Sequence, residues 1–119
     1  MLEFFNTYAR GYIDQNFALI ERHFAYPCML SNESGTDLIC DADDLRQHVT
    51  GFLAMLQENG LTRAVPTILN DQHHGTDHRV VSVHWDLYGA TDQPFAAFDF
   101  LYVLIGGEGT WKVSLANLL

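Results

Sequence analysis

The carboxylate best suited to acid–base chemistry in this chain is Asp99, which stands alone in the apolar stretch 95–105. Among Phe98, Phe100 and Val103 it would lose hydration, and desolvation raises the pKa of an acid. Such a carboxyl group can serve as a general acid or base near neutral pH. The structural alternative is a carboxylate bonded to a tyrosine, a histidine or a backbone amide, or one at a subunit interface, and buried acids are more often of this kind.

Tyrosine hydroxyls form a second group of candidate functional side chains. Tyr8 and Tyr12 lie four residues apart, one turn on a predicted helix, so their phenols could orient a polar group of a ligand. Tyr26 and Trp85 likewise combine a large apolar ring with one polar atom. All four residues could also be ordinary aromatic core with their polar atoms satisfied.

The strand that contains His84 has one apolar and one polar face. The faces are Val81, Val83, Trp85 and Leu87, and Ser82, His84, Asp86 and Tyr88. If the polar face lines a cavity, His84 with Asp99 makes an acid–base pair of the dehydratase or cyclase type. Burial preferences favour the apolar face inside, which directs His84 and Asp86 toward a partner subunit or solvent.

The segment 71–78 is dense in metal-ligand residue types, with His73, His74 and His78. Three of them would have to converge on one ion, and no fixed ligand spacing enforces this. Gly75 indicates an exposed turn with solvated histidines. We therefore expect no metal site and no cofactor.

The charge composition limits the kinds of binding partner that we expect for this chain. Fifteen acidic residues against six Lys and Arg give a formal net charge of −9. Such a surface repels phosphate backbones and anionic lipids, so we expect neither nucleic acid nor membrane binding.

The chain start lacks a signal-peptide pattern. Cys28 and Cys40 are expected to be reduced thiols, although they flank a predicted turn. We therefore predict a cytoplasmic protein with a single domain over residues 1–119.

The helices and strands that position these side chains are predicted from hydrophobic periodicity and from capping and turn residues. Phe5, Tyr8 and Tyr12 give the first helix an aromatic stripe, and Asp41 is a good N-cap for the longest helix. The predicted elements are helix 2–13, a short second helix that bears Phe17, Ile20 and Phe24, a hairpin of 29–32 and 36–40, helix 42–59, and strands 62–72, 79–88, 95–105 and 110–118. This order predicts an α+β fold with the helices on one face of the sheet.

The strand 95–105 is apolar on both faces apart from Asp99. A sheet with one solvated face would alternate, and no helix remains to cover the second face. A second copy of the chain would cover it, so we expect a homodimer formed through the outer sheet face.

The chain resembles the NTF2-like superfamily, which includes SnoaL-like polyketide cyclases and ketosteroid isomerases. The resemblance rests on the split first helix with Asp14-Gln15-Asn16, the hairpin before the helix capped by Asp41, and the closing segment 109–113. It implies a cone-shaped, cystatin-like fold in which three helices from the N-terminal half pack on a curved, mostly antiparallel sheet. It also implies a dimer with an apolar central pocket.

The ketosteroid isomerases use a helix tyrosine, a strand acid and a hairpin aspartate, chemistry that is a standard example of pKa tuning. By the resemblance, Tyr8 occupies the tyrosine position, Asn32 the base position and Leu101 the strand position. Asn32 cannot take a proton and Leu101 cannot donate a hydrogen bond, so this mechanism is disfavoured.

Three functions remain open. The first is binding of a small apolar molecule, and the second is a cofactor-free isomerase, dehydratase or cyclase that uses Asp99 with Tyr8 or His84. The third is an assembly domain with a filled interior. For the first two, the expected pocket-lining residues are Tyr8, Tyr12, Tyr26, Asn32, Trp85, Asp99 and Leu101.

Overall fold

A computed structural model describes all residues, 1–119. The elements are α1 (Leu2–Ile13), α2 (Phe17–Glu21), β1 (Phe24–Asn32), β2 (Gly35–Ile39), α3 (Ala42–Glu58), β3 (Arg63–His74), β4 (His78–Tyr88), β5 (Pro94–Ile105) and β6 (Lys112–Leu118). Three helices and a six-stranded sheet confirm the predicted α+β fold. No helix combines the length and apolar character needed to cross a membrane.

The helix starts are fixed by side-chain caps. Asn16 accepts a hydrogen bond from the Leu19 amide at 3.2 Å, which begins α2. Asp41 accepts from the Asp44 amide at 2.9 Å and begins α3, while the Asp44 carboxylate accepts from the Cys40 amide at 3.0 Å. The bonds to Leu19 and Asp44 satisfy first-turn amides that the helix itself leaves without a partner.

The second helix is shorter than the sequence pattern predicts. It ends at Glu21, and Phe24 opens β1, where it pairs with Val113 of β6. Phe24 keeps the burial that its helical spacing suggested, but it packs from a strand. Sheet pairing therefore overrides the local 3.6-residue period here.

The sheet has the strand order β2-β1-β6-β5-β4-β3. All neighbours are antiparallel except β1 and β6, which run parallel. The helices pack on one face, which we call the inner face, and the other is the outer face. The core lies between the helices and the inner face and includes Phe5, Ile20, Leu45, Val83 and Leu104, all with no solvent exposure.

Close packing of the first two helices depends on Gly11. A Cβ at this position would lie 2.7 Å from Cγ1 of Ile20 and 3.0 Å from its backbone nitrogen. Glycine therefore lets α2 fold back on α1 and brings Ile20 into the core.

Candidate ligand-binding pocket

A cavity of about 440 Å³ lies between the inner face of the sheet and the helices α1 and α3. This volume is in the range of small-molecule sites. Nineteen of its 22 lining residues are hydrophobic, so the cavity favours an apolar ligand. Its aromatic lining residues are Tyr8, Tyr12, Phe24, Phe52, Trp85, Phe98, Phe100 and Tyr102.

Three phenols form a cluster in the wall, which we call the phenol cluster: Tyr8 and Tyr102, which are buried, and Tyr12, which is half-buried. The hydroxyls of Tyr8 and Tyr12 are hydrogen-bonded at 2.7 Å. Trp85 donates its indole N–H to the Tyr102 hydroxyl at 2.9 Å. The Tyr8 ring packs edge-on against Tyr102 at 6.4 Å between centroids, so the three rings form one group.

Burial keeps these phenols protonated. It raises the pKa of Tyr8, with further contributions from Tyr12 and Tyr102. It raises the pKa of Tyr12 to about 12 against the lowering effect of its bond to Tyr8, and that of Tyr102 well above its usual value. The cluster is therefore a set of hydrogen-bond donors at neutral pH, not a source of phenolate.

Not every phenolic hydrogen of the cluster is used in a hydrogen bond. The bond between Tyr8 and Tyr12 uses one of the three phenolic hydrogens, and the Tyr102 hydroxyl acts only as an acceptor, from Trp85. Two phenolic hydrogens thus have no acceptor among the atoms of the chain. A ligand oxygen that accepts hydrogen bonds would satisfy them, since buried donors without partners are costly.

The exposed end of the pocket carries a second polar group, the rim (Asn32, Asp37 and His48). Asn32 and His48 line the cavity. Asp37 lies directly across the β1–β2 hairpin from Leu30, another lining residue, and therefore on the inner face. Its Oδ2 atom is 3.5 Å from Nδ1 of His48.

The expected acid–base pair lies elsewhere. His84 and Asp99 are cross-strand neighbours, and Nδ1 of His84 is 2.5 Å from Oδ1 of Asp99, but both side chains are on the outer face. Neither lines the pocket, and neither does Leu101, contrary to the expectation for Asp99 and Leu101. The reason is strand parity: Phe98 and Phe100 pair with the buried Trp85 and Val83, which turns the intervening Asp99 outward.

Burial preferences had favoured this orientation of β4. Val81, Val83, Trp85 and Leu87 are buried, while His84 and Asp86 face outward. The imidazole of His84 bridges two carboxylates, with Nε2 of His84 3.2 Å from Oδ1 of Asp86. The hydrogen bond to Asp99, followed by that to Asp86, raises the pKa of His84 against the opposing effect of its partial burial.

Of the other expected lining residues, Tyr8, Tyr12, Asn32 and Trp85 line the pocket, and Tyr26 does not. The Tyr26 ring packs against the core from β1, and its hydroxyl is buried without a hydrogen-bond partner. Burial raises its pKa, and the neighbouring Glu21 adds to this effect.

The histidine-rich segment forms the tip of the β3–β4 hairpin. His78 contacts Asp77 at 2.9 Å, and both side chains are more than half exposed. No three histidine, cysteine or carboxylate side chains converge in a way that could hold a metal ion.

Cys28 is a buried free thiol and Cys40 an exposed one. Cys28 pairs across the hairpin with Ile39, so the two cysteines are not opposite each other.

Most of the lining residues were not predicted from the sequence, among them His48, Phe98, Phe100 and Tyr102. For His48 a signal existed, because it is three residues after Leu45 and four before Phe52, on the buried stripe of α3. For the β5 residues none existed, since both faces of that strand are apolar and only the pairing partners decide its parity.

The chain is thus a small α+β protein with a sheet on one side, three helices on the other and an apolar cavity between them. The sequence matches the family described as "NTF2-like protein (DUF6841)" over residues 1–117. The chain therefore belongs to this NTF2-like family.

Several solved structures share the fold of this chain. A Shewanella frigidimarina protein, described as a proposed ketosteroid isomerase, has a TM-score of 0.75 at 15% identity, with 98% of this chain and 92% of that chain covered. An NTF2-like protein of unknown function from Shewanella oneidensis has a TM-score of 0.68 at 14% identity, covering 98% and 93%. A cystatin-like protein of unknown function from Nostoc punctiforme has a TM-score of 0.69 at 18% identity, covering 98% and 84%. At these identities the likeness shows the fold alone. No curated protein matches the sequence.

Proposed function

We propose that this protein binds a small, largely apolar molecule in its central pocket. The observation that carries the proposal is the cavity of about 440 Å³ with 19 hydrophobic residues among its 22 lining residues. An assembly domain without a ligand would gain stability by filling such a space, because cavities in a core are destabilising.

The phenol cluster supports a ligand with an acceptor oxygen, such as a carbonyl group. Two of its O–H groups have no acceptor in the chain, and burial keeps all three phenols protonated. A ketone oxygen accepts hydrogen bonds without bringing another donor.

The enzyme alternative with Asp99 loses its geometric basis. Asp99 and His84 are on the outer face, whereas Tyr8 is in the pocket wall on the inner face. One substrate cannot reach both groups across the sheet, so binding is better supported than acid–base catalysis by this pair.

The binding test uses 4-acetylbiphenyl, an apolar ketone that fits the cavity by size. At a free concentration of about ten times its Kd it should stabilise the protein by about 1.4 kcal/mol and raise the melting temperature by several degrees. Differential scanning fluorimetry and isothermal titration calorimetry would measure both quantities.

A matched pair of variants makes this test specific. Ala96 lines the pocket, and Ala97 is its exposed neighbour on the outer face of the same strand. Ala96→Phe should remove binding, whereas Ala97→Phe should retain it. Equal binding by both variants, or none by the wild-type protein, would refute the proposal.

We also infer a homodimer through the outer face. Five apolar residues lie in register across five strands and form the outer stripe, which consists of Leu38, Met29, Leu115, Val103 and Val80. Leu38 is 62% and Met29 44% exposed in the single chain, so burial against a second copy would remove apolar surface from water.

The two free thiols are compatible with a reducing, cytoplasmic location, which stays a prediction.

A further inference from the structure

The rim is chemically different from the rest of the pocket. Only three lining residues fall outside the hydrophobic set, Ser31, Asn32 and His48, and Asp37 stands behind His48. Sequence spacing did not assign a role to His48 or to Asp37. Their position at the exposed end of an otherwise apolar cavity makes them the groups that a ligand's second polar end would meet.

The proton positions on His48 follow from its neighbour. Oδ2 of Asp37 lies 3.5 Å from Nδ1 of His48, and the negative charge of this carboxylate favours the tautomer with the proton on Nδ1. In a neutral imidazole, Nε2 then carries the lone pair. On the helix side of the rim, Nε2 of His48 is then available as an acceptor.

Asn32 adds a donor to the same rim. Its Oδ1 accepts from the Ser34 amide at 2.8 Å, which fixes the orientation of the side-chain amide. The Nδ2 hydrogens of Asn32 have no acceptor in the chain. A hydroxyl group, which donates once and accepts as well, complements an acceptor and a donor together.

The rim and the phenol cluster lie along one wall. Phe52 packs edge-on against Tyr12 at 5.7 Å between centroids, and His48 is four residues before it on α3, a rise of about 6 Å. A ligand that contacts both groups must therefore be elongated.

We propose that the ligand is an elongated apolar molecule with a carbonyl oxygen at one end, for the phenol cluster, and a hydroxyl group at the other, which donates to His48 and accepts from Asn32. This inference rests on the proposed function and specifies its ligand class. Asp37 acts as a positioning residue, because it sets the tautomer of His48 without contacting the ligand.

Two probes of equal heavy-atom count test the rim. They are 4-acetyl-4′-(hydroxymethyl)biphenyl and 4-acetyl-4′-ethylbiphenyl, which differ only by a hydroxyl in place of a methyl group. Calorimetric Kd values at about pH 7.5 should favour the hydroxymethyl probe by about twofold to tenfold, the range expected from one net hydrogen bond. The ratio of the two Kd values is the readout, so a general change in the pocket cancels.

Variants assign the preference to the rim. His48→Phe should bring the ratio to about one or reverse it, while the ethyl probe still binds. Asp37→Ala should reduce the ratio and leave the Kd of the ethyl probe within about twofold, which a purely structural role would not do. His74→Phe, at an exposed histidine away from the cavity, is the matched control and should keep the wild-type ratio.

The outcomes separate the two proposals. Binding of the ethyl probe without a preference for the hydroxymethyl probe, or a preference that persists in His48→Phe, overturns the rim assignment and leaves pocket binding intact. Failure of both probes to bind the folded wild-type protein counts against the proposed function and the rim together.

Discussion

Side chains on the two faces of this sheet hold their protons for different physical reasons. On the inner face, desolvation holds the protons on Tyr8, Tyr12 and Tyr102, so the pocket wall donates hydrogen bonds. On the outer face, His84 lies between two carboxylates, each of which can only accept. These two contacts favour the cationic imidazole, in which both ring nitrogens carry protons, and this agrees with the raised pKa of His84.

The raised pKa of His84 gives a prediction with a definite sign. The folded protein binds this proton more tightly than the unfolded chain, whose histidines titrate at roughly 6.5. The resulting stabilisation is fully present below the unfolded-state pKa and is lost as the pH rises through the folded-state pKa. Asp99→Asn removes the first cause of the shift, so the NMR titration midpoint of His84 should fall.

Stability measurements check the same linkage. The difference in unfolding free energy between the wild-type protein and Asp99→Asn should be larger below the titration midpoint of His84 than above it. A difference that grows as the pH rises would contradict the assignment of a cationic His84.

At the scale of elements, α3 carries most of the helical contribution to the pocket, and its start depends on one carboxylate. Asp41 accepts from the Asp44 amide, and Asp44 in turn accepts from Cys40. Because this reciprocal pair fixes where α3 begins, it also fixes the rotation that turns His48 and Phe52 toward the cavity.

Removal of this cap should be measurable. Asp41→Ala should lower the free energy of unfolding by about 1 kcal/mol, the usual cost of losing an N-cap side chain. Asp43→Ala, at a neighbouring acidic residue with no capping bond, should cost less. Urea unfolding of both variants provides the comparison, and equal losses would show that Asp41 acts only through its charge.

The sheet contributes through its register. Parity in β5 is set by the pairing of Phe98 with Trp85 and Phe100 with Val83. A shift of one residue would bring Asp99 and Leu101 into the pocket and expel the aromatic rings. Which side chains line the pocket therefore depends on strand pairing and not on any one residue.

At the scale of the whole molecule, one sheet face serves the pocket and the other presents the outer stripe. An isologous dimer would cover this stripe, since the same surface on two copies is self-complementary in a two-fold arrangement. The apolar pocket would then lie on the side of the sheet away from the partner.

Val103→Asp, at the centre of the outer stripe, should convert the proposed dimer to a monomer, because an unpaired charge at an apolar interface loses its hydration. Sedimentation velocity would report the mass of the particle. Leu2→Asp, at a half-exposed leucine on α1, is the control and should leave the mass unchanged. A wild-type protein that sediments as a monomer at high concentration would refute the dimer.

Local sequence determined much of this protein. Caps at Asn16 and Asp41, the stripe of α1 and the alternation of β4 specify their elements, because each depends on neighbours along the chain. The family resemblance also followed from the order and lengths of these elements, and the family match confirms it.

The tertiary structure alone decided which side chains share the cavity. β5 is apolar on both faces, so its own residues do not specify whether Asp99 or Phe98 points inward; its partners β4 and β6 do. The pairing of His48 with Asp37 joins a helix to a hairpin, and only the packing of α3 against β2 brings them together. Contacts between elements distant in sequence leave no local periodicity, and for this reason the pocket was defined by the fold rather than by any motif.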